Sequence, residues 1–382
     1  MFRASHWEKT TFLREADVLI VGAGLTGLQA ALELKRQNRK LNVLVIERAP
    51  LPRGASTRNA GFACFGGPTE LLADLDAYGP ESMVDTVRQR YAGIQALEEN
   101  YAGRGIDWHK CGGYEIVEES ASRKTAEVQE RLKELNDLLA EVTGRAETWS
   151  PVNFSDLSDG AGSTISGVFH NPMEAQLHPG KLVRVLLEDG YAAGVRFLFG
   201  AKVVAVEEGR VEVEDFGTLK AERILLTVNA FARTFLPEDF PESIRPVRNQ
   251  ILLSRKIPNL KIQGCFHFHE GYVYFRNVGN DRLLIGGARH LAGAASETDA
   301  FGANEAIAET LVASLQRWFP EYGLTRADFP DAWSGIIAQG DGKEPVLRFA
   351  RPNVLIAGRL AGMGVALSAA LARRAAKLLL AE

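Results

Sequence analysis

Three glycines, Gly22, Gly24 and Gly27, spell GAGLTG directly after the short apolar run Asp17 to Val21, at the head of a segment, Leu25 to Gln37, with helical spacing. In that setting each glycine has a task. One permits a tight turn, one lets the backbone approach a pyrophosphate, and one lets the helix pack against the strand. The helix start at Leu25 and Thr26 adds unpaired N–H groups and positive potential, which favour a phosphate. Glu47 lies 20 residues beyond Gly27, at the end of a second buried-strand pattern, Asn42 to Glu47, with Arg48 next to it. A carboxylate there accepts hydrogen bonds from both ribose hydroxyls of an adenosine and disfavours a 2′-phosphate. The competing reading is a glycine turn that binds nothing, with Glu47 a solvated strand end. The turn alone suits NAD and FAD equally.

Two further glycine-rich stretches carry polar or helix-opening residues. Gly54 to Gly67, GASTRNAGFACFGG, offers hydroxyls, Arg58 and backbone amides. Near the other end, Gly358, Gly362 and Gly364 follow the buried-strand pattern Asn353 to Ala357 and open an Ala- and Leu-rich helix. The free amides at Gly362, Met363 and Gly364, with the helix dipole, suit a site where negative charge develops. Close helix packing through small residues explains the same glycines.

In GYVYFR, period-two alternation sets Tyr272, Tyr274 and Arg276 on one strand face, two rings and a cation that suit a substrate wall. An amphipathic face with a solvated arginine is the plainer alternative. His267 and His269 form an HFH pair, but no third ligand is evident, so no metal is expected. Trp318, Phe319 and Tyr322 read as core or interface.

These residues must be held by a β-α-β unit at the start of the chain and a strand, glycine turn and helix at its end. Between them the pattern predicts helices over Glu81 to Tyr101 and Ala121 to Ala140 around a strand at Gly113 to Val117. A helix follows at Pro179 to Leu187, then strands at Val195 to Phe199, Lys202 to Glu207, Arg210 to Glu214 and Arg223 to Val228. From Ile244 to Arg289 the alternation is that of an antiparallel sheet with one solvated or ligand-facing side, accompanied by a helix near Asn304 to Phe319.

Length and composition set the outer bounds. A chain of 382 residues exceeds what one core usually serves, so two domains are expected. The 44 Lys plus Arg against 48 Asp plus Glu give a net charge of -4 with no basic tract, which argues against nucleic acid. No apolar run approaches the roughly 18 residues of a spanning helix. Cys64, Cys111 and Cys265 are odd in number and widely spaced, which fits neither a disulfide framework nor a CxxC pair and suits a reducing cytoplasm.

Taken jointly, GAGLTG with Glu47, STRNAGF from Ser56 to Phe62, HPGKLVRVLL from His178, LLTVNAF from Leu225 to Phe231, RPVRNQIL from Arg245 and GRLAGMGVALS from Gly358 resemble the D-amino-acid oxidase-like superfamily of FAD-dependent oxidoreductases. RNAGF, GGYEIV and the WSG at Trp333 are most similar to its γ-glutamylputrescine-oxidase-like members.

The resemblance implies an α/β fold, with a Rossmann-like FAD-binding domain (1–80, 150–235 and 335–382) interleaved with an antiparallel-sheet substrate domain (81–149 and 236–334). It implies FAD contacts from Ser56, Thr57, Arg58, Asn59, Ala60 and Gly61, from Val203 and Val204 by the adenine, from Asn229, and from Gly358, Gly362, Met363, Gly364 and Val365. Tyr274, Arg276 and Trp333 become candidates to orient substrate. The residues used by some members for covalent flavin attachment are not matched, since WSGIIAQGD lacks cysteine and Arg58 stands where a histidine would, so noncovalent FAD is expected.

The implied reaction is oxidation of a C–N bond of a small amine or amino acid to an imine, with hydride transfer to flavin N5 and O2 as acceptor. A dehydrogenase using a quinone or protein acceptor, an NAD-dependent enzyme, and a nonenzymatic FAD sensor are the alternatives. Two departures bear on this. GIIAQG lacks the arginine that binds an α-carboxylate in glycine-oxidase-like members, leaving Arg58, Arg276 or Arg289 for that task. Leu284 stands nearest the lysine that assists oxygen in sarcosine-oxidase-like members.

Overall fold

The computed structural model describes residues 3–121, 123–157 and 164–381. The chain divides into two compact units, one formed by Met1–Arg58, Pro179–Val247 and Ile336–Glu382, the other by Asn59–His178 and Arg248–Gly335. Residues 59–80 and 150–178, expected with the nucleotide domain, pack within the second unit instead.

The first unit is built on a sheet in the order Val346–Arg351, Val354–Gly358, Gly217–Leu226, Ala16–Val21, Val43–Glu47, Arg196–Phe199. Every pair but the first is parallel. Parallel strands covered on both faces read as unbroken apolar runs, and Val18 to Val21 and Val43 to Ile46 are buried throughout. The helix Leu25–Gln37 packs along the C-terminal helix Gly364–Ala381. The buried Gln29 amide ties the two by donating to Ser368 Oγ at 2.8 Å.

The second unit holds most of a sheet in the order Asp331–Gln339, Arg245–Leu253, Arg282–Gly287, Val273–Val278, Cys265–Phe268, Gly113–Glu118, Ile165–Asn171, Ser150–Val152. Alternation sorts its side chains cleanly. Leu252, Phe266, Phe268, Val273, Phe275, Leu283 and Ile285 join the helix Glu305–Trp318 in the larger core, Trp318 stacking on Phe268 with ring centroids 3.5 Å apart. Trp318 and Phe319 are fully buried core residues, as expected.

The long helical stretch Pro68–Tyr101 breaks at Gly79, whose φ of 81° no ordinary helix residue adopts, followed by Pro80. No helix among the described residues is long and apolar enough to cross a membrane.

Candidate active site

In the first unit the glycine turn has the expected form. Gly22 closes the strand with φ 107° and donates its N–H to Ile46 O at 2.8 Å, while Gly24 is the N-cap of the helix and supplies no capping side chain. The cap comes from elsewhere, because Ser56 Oγ accepts the Leu25 N–H at 2.9 Å. Packing crowds both glycines: a Cβ on Gly22 would stand 3.0 Å from Thr227 O, and one on Gly24 would stand 2.8 Å from Ser56 Oγ. Thr26 and Gly27 are buried in the first turn of the helix.

Glu47 sits at the end of its strand, half-buried, and accepts N–H groups from Ala23 at 3.1 Å and Ala49 at 3.1 Å. A carboxylate has about four acceptor sites, so two protein bonds leave acceptor capacity for a diol. Arg48 is exposed and lies over the Phe231 ring, 4.0 Å from its centroid. Thr57 Oγ1 donates to Pro52 O at 2.8 Å. Burial, and then the neighbouring Arg53, lower the pKa of Arg58. Of the hairpin valines, Val203 is buried and Val204 is 46% exposed.

The turn after Val354–Gly358 is strained. Arg359 (φ 56°), Ala361 (φ 47°) and Gly362 (φ 91°) all take left-handed backbone, and so does Asn229 (φ 47°). Non-glycine residues pay on the order of 1 kcal/mol or more for that conformation, and such strain clusters at functional sites. Arg359 is anchored through its guanidinium to Glu344 O and Ser243 O, and Asn229 Oδ1 accepts the Leu360 N–H at 3.4 Å. Gly358 and Asn229 touch, a Cβ on the glycine lying 3.4 Å from Asn229 Cα. Gly362 differs from the first turn, since a Cβ there would meet only Ile337 Cδ1 at 4.0 Å. Its positive φ calls for glycine, and the side facing away from the backbone is open to a ligand. Met363 N–H closes the turn on Leu360 O at 2.8 Å, and Gly364 and Val365 begin the C-terminal helix.

In the second unit the other sheet face carries a smaller apolar cluster. Ala60, Ile251 and Leu284 are buried, and Phe62, Leu253, Tyr274, Val278 and Trp333 lie half-exposed against them. Gly286 makes room for the Tyr274 ring, since a Cβ there would lie 2.7 Å from it. The Tyr274 hydroxyl accepts from Asn249 Nδ2 at 3.0 Å, and burial pushes its pKa up to about 12, so the phenol stays protonated.

Arg276 shares that face, but its guanidinium is engaged with the protein. It donates to Ala60 O, to Gln176 Oε1 at 3.0 Å, to Asn277 O at 3.0 Å and to Leu177 O at 3.1 Å. A buried cation must find acceptors, and four of its five N–H groups have them here. The expected three-residue face is also shorter than the sequence implied. The strand begins at Val273, and Tyr272 precedes it, packed against Arg289 (4.8 Å) and His290 (5.1 Å). Asn59 Oδ1 accepts the Gly61 N–H at 2.8 Å, and Gly61 O accepts from Leu177 N at 2.8 Å, which holds the loop that Arg276 grips.

The histidine pair is split. The strand ends at Phe268, so His269 (φ 49°) turns to Glu118 at 3.1 Å, while His267 points inward to Glu174 at 3.3 Å. A cleft of about 400 Å³ in this unit is lined by Glu115, Glu118, His269, Tyr272 and His290 among others. Burial raises Glu115 to about 7 against the hydrogen bonds it accepts from Thr69. Pattern reading had no means to find Thr227, Ser368, Glu115 or Glu174, whose partners are far away in the chain. The available signals were the family-like stretches LLTVNAF, GRLAGMGVALS and GGYEIV, which contain Thr227, Ser368 and Glu115, while Glu174 lies in none of them.

A largely parallel sheet with a glycine-lined helix start and a carboxylate ending the next strand in one unit, and a mixed sheet in the other, define a dinucleotide-binding α/β protein. The chain belongs to the FAD dependent oxidoreductase (DAO) family, whose model matches residues 17–378. It is 26% identical over 372 residues to the probable oxidoreductase OrdL of Rhizobium meliloti, covering 93% of this chain and 81% of that protein. Among solved structures, glycine oxidase from Geobacillus kaustophilus has the same fold at TM-score 0.74 and 19% identity, covering 96% of this chain and 95% of that one. L-proline dehydrogenase from P. horikoshii also shares it, at TM-score 0.74 and 14% identity, covering 96% and 93%.

Proposed function

We propose that this flavoprotein oxidises a C–N bond of a small amine or amino acid to an imine, with O2 as the acceptor. Its FAD would be held noncovalently by the GAGLTG turn, Glu47, Ser56 and the Gly362 to Val365 helix start. When bound, FAD supplies the hydride acceptor, N5 of its ring system. The observation that carries the reading is the half-exposed cluster of Tyr274, Trp333, Phe62, Leu253 and Val278. Hydride abstraction beside a neutral amine asks for a dry, orienting wall more than for a strong base, and Tyr274, kept protonated, is a neutral hydrogen-bonding group in that wall. A solved relative in fold is named glycine oxidase, which agrees with this donor class.

The test is anaerobic addition of candidate amines to the holoenzyme. Bleaching of the flavin by an amine, followed by one peroxide per turnover on admitting air, is the expected result. A second reading, a dehydrogenase delivering electrons to a quinone or protein, has its own support. Leu284, buried in the apolar cluster, puts no cation at the position nearest the oxygen-assisting lysine of sarcosine-oxidase-like members. Slow reoxidation in air with rapid reoxidation by a quinone would select it.

A further inference from the structure

Cys64, Glu174 and His267 are separated by 110 and 93 residues in sequence, yet they converge in the interior of the second unit. The convergence has a definite cause. The short ribbon pairs Phe62 with Gln176 and Ala63 with Ala175, and the same antiparallel register carried one step further sets Cys64 opposite Glu174. His267 comes from the strand Cys265–Phe268. One ligand atom from each, a thiol sulfur, an imidazole nitrogen and a carboxylate oxygen, all lie within 4.8 Å of one another, and all three residues are buried.

The surroundings fix these groups. The Phe65 N–H donates to Glu174 Oε1 at 3.0 Å, leaving Oε2 to face His267 Nε2 at 3.3 Å. Gly113 is required for this placement, because a Cβ there would stand 2.0 Å from Glu174 Oε2. Bonds of about 2.0–2.3 Å from a tetrahedral zinc ion put neighbouring ligand atoms about 3.3–3.8 Å apart. The His267 to Glu174 distance has that value already, and the sulfur needs to close by no more than about 1.5 Å to join them. A backbone donor on the far oxygen of a ligating carboxylate is the usual outer support of such a site.

We propose that Cys64, Glu174 and His267 form a binding site for a zinc-class divalent cation, which staples three distant segments of the second unit. Thiolate, imidazole and carboxylate together suit Zn²⁺ over Mg²⁺ or Ca²⁺, which take oxygen ligands. Binding displaces the Cys64 thiol proton and any proton on His267 to solvent, so affinity rises with pH. Holding the ion asks nothing of the proposed oxidation chemistry, although the His267 ring packs edge-on against Phe62 with centroids 5.2 Å apart.

The test uses the FAD-loaded protein purified from zinc-supplemented cells and again after chelation and titration with Zn²⁺ alone. The expected result is one zinc per chain by mass spectrometry, with X-ray absorption showing one sulfur at about 2.3 Å and nitrogen or oxygen at about 2.0 Å. Cys64→Ser and Glu174→Gln should each weaken zinc at least tenfold, with retained FAD reporting that the chain has folded. The Zn²⁺ affinity of the wild type should fall as pH is lowered. A wild type that takes up no zinc on titration, or zinc whose shell lacks sulfur and is unmoved by Cys64→Ser, overturns the proposal.

Discussion

Gly27 leaves no space for a side chain beside Thr227: a Cβ there would stand 2.6 Å from Thr227 Oγ1 and 2.1 Å from Gly22 O. The Thr227 hydroxyl lies 3.0 Å from both Val21 O and Gly22 O and hydrogen-bonds across the strand end where the glycine turn begins. The shape of the turn is thus set by a residue 200 positions from Gly27. Gly27→Ala should destabilise the chain by about 1–3 kcal/mol through overpacking and lower the FAD content of purified protein. Thermal unfolding together with the flavin-to-protein absorbance ratio checks this.

Glu47→Gln keeps the shape but removes the charge and one of the two acceptors now used by Ala23 and Ala49. A hydrogen bond to a charged group contributes about 1.5–3 kcal/mol, so FAD affinity should fall roughly ten- to hundredfold. Titrating flavin-free protein with FAD by fluorescence quenching measures it. Unchanged affinity would remove Glu47 from the cofactor site.

Acid denaturation should release the flavin to the supernatant in full, since neither a cysteine in WSGIIAQGD nor a histidine at Arg58 offers an attachment point. Yellow colour retained by the washed precipitate would contradict noncovalent binding.

Arg276→Leu removes the donor from Ala60 O, Leu177 O and Gln176 Oε1. Each buried acceptor left unpaired costs about 1–3 kcal/mol, so a large drop in melting temperature is expected, with Arg276→Lys intermediate. If the leucine variant instead melts normally and loses only substrate affinity, the guanidinium serves the substrate.

What the sequence disclosed and what it withheld follow one rule. GAGLTG, Glu47 and the C-terminal glycines are local patterns whose strand and helix context repeats within about 30 residues of chain, and each element stands where its pattern placed it. The shared face of Tyr274 and Arg276 was legible from alternation, but the partners of Arg276 were not, because Ala60 and Leu177 reach it through 216 and 99 residues of separation. The pairing of Cys64 with Glu174 was hidden for the same reason, being a matter of ribbon register. Tyr272 was misplaced because alternation does not mark where a strand starts.

Glu115 gives the pH signature of the second unit. Burial raises its folded pKa to about 7 from an ordinary 4.5, so its contribution to stability is complete below 4.5 and is lost as pH rises through 7. The wild type should therefore lose on the order of 3 kcal/mol across that window from this group. Glu115→Gln, whose amide can still bond Thr69, should flatten the profile. Denaturant unfolding at pH 5 and pH 8 for both proteins measures the difference, and parallel profiles would contradict it.

C–N oxidation by this chain is tested most directly by the flavin spectrum of the anaerobic holoenzyme during addition of small primary and secondary amines and amino acids. Loss of the long-wavelength flavin band with at least one of them, and formation of the corresponding carbonyl product after hydrolysis, are the expected results. A flavin that none of these donors bleaches, yet that dithionite reduces normally, would contradict C–N oxidation as the function of this chain.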